Sequence, residues 1–76
     1  MKQLMNRNLF FAIVDAFECE ILKFRDCRRI HIGSALHCPK EERQKHLDEA
    51  EQWHTWEEEA MKFKKQFTEL FEPDMG

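Results

Sequence analysis

An apolar, largely aromatic stripe in the C-terminal half is the feature that most constrains the fold of this chain. It runs at alternating intervals of three and four residues through Trp53, Trp56, Ala60, Phe63, Phe67 and Leu70. Because residues three and four apart lie on the same side of an α-helix, this spacing predicts a helix packed lengthwise against other helices. Two Gly and two Pro in 76 residues leave few positions for the turns of a sheet protein. The expected fold class is therefore all-α.

A first helix is predicted in the N-terminal half of the chain. The segment 9–24 would be apolar over more than half of the circumference of a helix. Asn6 and Asn8 are both acceptable N-caps, and Gly33 follows the last apolar residue, where a C-cap belongs. These signals place helix one at about 8–32.

The second helix has a clear predicted start and no interruption. Cys38 occupies the N-cap position, and Pro39 occupies the first helical position, which tolerates a residue without an N–H group. Helix two is therefore expected over about 39–71, after a turn at 33–38. The whole chain, 1–76, is predicted to be a single domain with the architecture of a long antiparallel helical hairpin.

The predicted helices carry more apolar surface than one hairpin of this size can cover. Helix two would be about 50 Å long and helix one would be shorter, so the far end of helix two needs another cover. A second copy of the chain is expected to supply it, through homodimerisation into an antiparallel four-helix bundle. The residues expected in this oligomer core are Phe17, Phe24, Trp53, Trp56, Phe63, Phe67 and Leu70.

Two further surfaces are predicted to bind another protein. Phe11 and Leu22 project from the polar side of helix one, where two apolar residues on one line indicate a contact surface; ordinary exposure is the alternative. Residues 47–61 contain six acidic side chains and no basic one, and this ridge, which includes Glu51 and Glu58, would fit a basic groove on a partner. A solvated face is the alternative interpretation of the ridge.

Histidine, cysteine and glutamate side chains converge at the turn end of the predicted hairpin. Three of them follow one another on helix two at spacings of four and three, and two are four apart on helix one. Side chains of these types from facing helices form metal sites in bundles. An ion-pair cluster in water is the alternative, since no spacing such as C-x-x-C is present. The candidate metal ligands are Cys27, His31, Glu42, His46 and Glu49.

Nucleic-acid binding and catalysis have weaker support. Residues 23–46 contain seven basic and three acidic side chains, so a dimer would present two basic patches. The acidic ridge, the net charge of −3 and the lack of a recognised DNA-binding motif count against this function. The only serine, Ser34, lies in the predicted turn, and there is no glycine-rich phosphate loop. No catalytic residue and no cofactor are predicted.

The predicted compartment is the cytoplasm. Three cysteines are an odd number, whereas a secreted disulfide framework normally uses an even one. The apolar run at 9–14 is too short for a signal-peptide core or a membrane span.

The function expected from these features is that of a small non-enzymatic protein that binds another protein and regulates or inhibits it as a helical oligomer. Its compact length and few specialised motifs are typical of phage and mobile-element products. A metal-binding helical bundle is the alternative, and a nucleic-acid-binding dimer is the second alternative.

Overall fold

Two helices of 31 residues each account for most of the chain in the computed structural model, which describes residues 1–76. Helix α1 extends over Arg7–His37 and helix α2 over Lys40–Leu70. They pack side by side in opposite directions, so the predicted all-α helical hairpin is confirmed. Neither helix combines the length and the apolar character that a membrane crossing would require.

Helix α1 begins close to its predicted start but continues past its predicted end. The Asn6 side chain accepts a hydrogen bond from the Leu9 N–H group at 3.1 Å, which makes Asn6 the N-cap. The predicted end at residue 32 is wrong, because Gly33 does not adopt the positive φ of a helix-ending glycine and the helix continues to His37. Pro39 ends it instead, since a proline disfavours the helical conformation in the preceding residue.

The turn consists of Cys38 and Pro39 alone and is shorter than the predicted 33–38. Cys38 does not cap α2: Pro39 occupies the N-cap position, without a side-chain capping bond, and the Cys38 Sγ atom lies 3.7 Å from the Ala35 carbonyl oxygen. The same carbonyl accepts a hydrogen bond from Arg43 Nε at 3.2 Å. A residue of α2 therefore satisfies one of the unpaired carbonyl groups at the end of α1.

Gly33 in this uninterrupted helix gives a direct stability prediction. A Cβ atom at residue 33 would meet no other group within 4 Å, and the backbone there is already helical. Gly33→Ala is therefore expected to raise the free energy of unfolding by about 0.5–1 kcal/mol, as measured by urea denaturation. A loss of stability would instead indicate that the chain turns at Gly33 in solution.

Two short strands that were not predicted join the ends of the chain. Strand β1, Gln3–Asn6, pairs in parallel with strand β2, Phe71–Asp74. Because the helices are antiparallel, the chain enters α1 and leaves α2 at the same end of the hairpin, which brings the termini together. Pro73 cannot continue α2, and it is tolerated in β2 because each strand of a two-stranded ribbon is an edge strand.

The hairpin is a single layer with a narrow core along the line where the helices meet. Phe10 stacks on Phe67 with ring centroids 5.3 Å apart, and Phe24 lies 5.7 Å from Trp53. The molecule measures 58 × 18 × 10 Å, and its radius of gyration is 17.1 Å. A compact domain of this length would have a radius of gyration of about 11 Å. The buried residues are Phe10, Ile21, Ala35, Ala50 and Glu57.

Candidate functional site

A polar cluster joins the two helices near the turn. His31 of α1 faces His46 of α2, and their Nδ1 atoms are 3.4 Å apart. The His31 Nδ1 atom also lies 3.0 Å from Glu49 Oε2. One donor atom from each of the three side chains lies within 4.8 Å of the other two. All three residues are half-buried, so the cluster is open to solvent on one side.

The structure brings together three of the five candidate metal ligands. His46 and Glu49 are three residues apart and therefore lie on one side of α2, opposite His31. Glu42 is exposed in the first turn of α2, and Cys27 is a half-buried free thiol; neither belongs to the group. The larger five-residue arrangement is not present in this structure.

A second polar cluster, which the sequence did not predict, surrounds a buried carboxylate. Glu57 is only 5% exposed and lies between two arginines of α1. Its Oε2 atom is 3.6 Å from Arg25 Nε, and its Oε1 atom is 3.7 Å from Arg28 Nη2 and accepts no hydrogen bond. A signal was present in the sequence: Glu57 is four residues after Trp53 and three before Ala60, which is the spacing of the apolar stripe. This signal was not used, because Glu57 lies in the acidic segment 47–61, which was interpreted as an exposed ridge.

His54 extends this cluster to the surface. Arg28 donates a hydrogen bond to His54 Nδ1, and His54 Nε2 lies 2.7 Å from Glu58 Oε1. Since an arginine can only donate, the ring must accept at Nδ1 and carry its proton on Nε2. Glu58, a predicted partner-binding residue, is thus engaged within the chain, although its side chain remains largely exposed. Glu51, the other predicted acidic contact, is exposed.

One residue of the predicted contact pair on helix one, Leu22, lines a groove between the helices. Phe11 and Leu22 are both exposed, and the Phe11 ring lies edge-on to Phe10 at 5.3 Å. Leu22 and Met61 line the groove, with lysine side chains along its α2 edge. Lys64 crosses it and donates a hydrogen bond to Glu18 at 3.0 Å.

An exposed aromatic face lies on the other side of the hairpin. Trp56, Phe63 and Leu70 are 40%, 56% and 62% exposed, and they recur every seven residues. At about 100° per residue, they lie on one side of the line where α2 meets α1, and Met61 lies on the other side. None of the seven residues predicted for the oligomer core is fully buried within one chain. We call the surface formed by Trp56, Phe63 and Leu70 the aromatic face.

Much of the basic charge near the turn is already engaged. Arg25 and Arg28 face Glu57, and Arg43 donates to the Ala35 carbonyl group. Arg25, Arg28 and Arg43 therefore each have a partner within the chain.

Comparison with known proteins finds no matching family model, no matching curated protein and no matching solved structure.

Proposed function

We propose that this chain acts as a non-enzymatic homodimer of helical hairpins that binds another protein and regulates or inhibits it. The observation that carries the proposal is the aromatic face, where Trp56, Phe63 and Leu70 remain exposed after the hairpin has formed. Because these three large apolar side chains recur at one heptad position, they form a continuous line along α2 that another helix can cover. Exposed apolar patches of this kind mark interaction surfaces.

The dimensions of the hairpin support a second copy of the chain as the cover of this face. Each helix of 31 residues is about 45 Å long and about 10 Å wide, so one side of the hairpin presents roughly 900 Å². A stable protein interface buries about 800 Å² on each partner. Two hairpins stacked through their aromatic faces would form a four-helix bundle, in which each hairpin is one layer and the core lies between them.

The opposite side of the hairpin would remain available to a different protein. Leu22 lines the groove on that side together with Met61, and Phe11, eleven residues earlier, shares its side of α1; Phe11 and Leu22 are both exposed. Glu51 and Glu58 add exposed negative charge on α2. We place this activity in the cytoplasm, since all three cysteines are free thiols, which are typical of a reducing compartment.

Sedimentation equilibrium with two matched variants tests the dimer. The wild type is expected to be a dimer whose melting temperature rises with protein concentration. Phe63→Lys would place a charge in the aromatic face and is expected to give a helical monomer. Leu22→Lys makes the same kind of change on the opposite side and is expected to leave the dimer intact. A monomeric wild type, or equal disruption by both variants, would contradict the proposed interface.

Substitutions on the side that contains Phe11 and Leu22 also test binding of the other protein. Combining Phe11→Asp with Leu22→Lys is expected to preserve helicity and the dimer while abolishing capture of the partner in affinity purification. If this double variant unfolds, that side belongs to the core of the protein. If it retains the captured protein, the partner binds elsewhere.

A further inference from the structure

We propose that His31, His46 and Glu49 bind a divalent transition-metal ion of the zinc class between the two helices. The site lies within one chain, so it is independent of the proposed dimer. Two imidazole groups and one carboxylate form a ligand set that zinc uses in proteins, with three protein ligands and a fourth position for water.

The distances between the donor atoms fit a small tetrahedral coordination shell. Zinc binds nitrogen and oxygen at about 2.0–2.1 Å, which places two tetrahedral ligands about 3.3 Å apart. His31 Nδ1 lies 3.4 Å from His46 Nδ1 and 3.0 Å from Glu49 Oε2. Two of the three separations between donor atoms therefore already lie near the value that a zinc ion requires, and the third is within 4.8 Å.

The chemistry of the three atoms also favours a cation at their centre. A neutral imidazole carries one proton, so His31 Nδ1 can donate fully to only one of its two neighbours. The lone pair of the other neighbour is then left without a full hydrogen bond from His31. A metal ion accepts a lone pair from each of the three atoms at once and offsets the charge of the Glu49 carboxylate.

The other histidines of the chain are less suited to this role. His54 Nδ1 accepts a hydrogen bond from Arg28, His54 Nε2 donates one to Glu58, and the nearby guanidinium group repels a cation. His37 is exposed in the last turn of α1. His54 is therefore the matched control for His46, because both are half-buried histidines of α2.

The half-buried position of the cluster indicates an open site rather than a closed structural one. Solvent reaches one side of the three side chains, where the fourth ligand would be a water molecule. Because the site joins α1 to α2, the ion would bind the folded hairpin in preference to the unfolded chain and raise its melting temperature.

Titration of untagged, chelator-free protein with Zn²⁺ tests this site. Calorimetry is expected to show one ion per chain, and Co²⁺ is expected to give the visible spectrum of a tetrahedral nitrogen and oxygen site. His46→Ala should weaken Zn²⁺ binding by more than the roughly 10–100-fold that is typical of losing an outer-shell partner. His54→Ala should bind as the wild type does. The thermal shift caused by Zn²⁺ should disappear in His46→Ala and persist in His54→Ala.

Glu49→Gln keeps the test decisive if His46→Ala fails to fold. It preserves the size of the side chain and removes the carboxylate, so helicity should persist while Zn²⁺ affinity falls. Undiminished binding in either folded variant would overturn the proposal. A thiolate-to-metal absorption band in the Co²⁺ spectrum would also overturn it, because the ion would then be bound by cysteine.

Discussion

Phe10→Ala is expected to destabilise the hairpin by about 3–5 kcal/mol, which is the usual cost of truncating a buried phenylalanine. Phe10 is 8% exposed and stacks on Phe67, which itself contacts Phe17 and Phe71. A protein of 76 residues has about 4–11 kcal/mol of total stability, so a large share would be lost. Circular dichroism during urea denaturation would measure the change.

The neighbouring residue provides the control for this prediction. Phe11 is 45% exposed, and it shares the edge-on aromatic contact with Phe10, so both alanine variants lose that contact. Phe11→Ala should therefore cost only about 1 kcal/mol, as expected for one aromatic pair. Similar losses in both variants would mean that the Phe11 side of α1 is covered in solution.

Removing both arginines from the buried carboxylate is the second large effect that we expect. In the Arg25→Met, Arg28→Met variant, Glu57 would remain buried with no opposite charge beside it. Isolating a buried charge in this way typically costs about 3–5 kcal/mol. The loss should lie near the lower end, because both arginine side chains are partly exposed and the carboxylate can recruit water. Urea denaturation of the variant and the wild type would give the difference.

The matched variant adds Glu57→Leu to the same background. Replacing a whole buried ion-pair cluster with apolar side chains is often neutral or stabilising, so the triple variant should recover most of the lost stability. If Glu57→Leu instead adds to the loss, the carboxylate makes a favourable contact of its own. Helicity measured before denaturation would confirm that the compared proteins share the same fold.

The helices could be predicted from the sequence because their signals are local and agree with one another. Trp53, Ala60 and Phe67 recur every seven residues within the apolar stripe, and they describe the side of α2 that packs on α1. Asn6, a predicted N-cap, does cap α1, and Pro39 marks the turn before α2. The end of α1 was misplaced because a glycine can end a helix or simply lie within one, and only its φ angle distinguishes the two cases.

The polar clusters were only partly predictable for a different reason. Spacing identified His31, His46 and Glu49 because each is placed by a simple helical interval and by the position of the turn. Glu57 has the spacing of the apolar stripe, but it was not recognised as a core residue because its charge is compensated by two arginines of the other helix. Pairing between distant residues has no local signal, and the same holds for the strands at the two ends of the chain.

The pairing of β1 with β2 has a consequence for the order in which the chain folds. This ribbon closes a loop that contains both helices, since Gln3 pairs with Phe71. Closing so long a loop in an unfolded chain carries a large entropic cost, whereas a docked hairpin has already brought its ends together. The strands must therefore pair after the helices have docked. In unfolding, separation of the helices at this end would break the strand pairing before the rest of the hairpin opens.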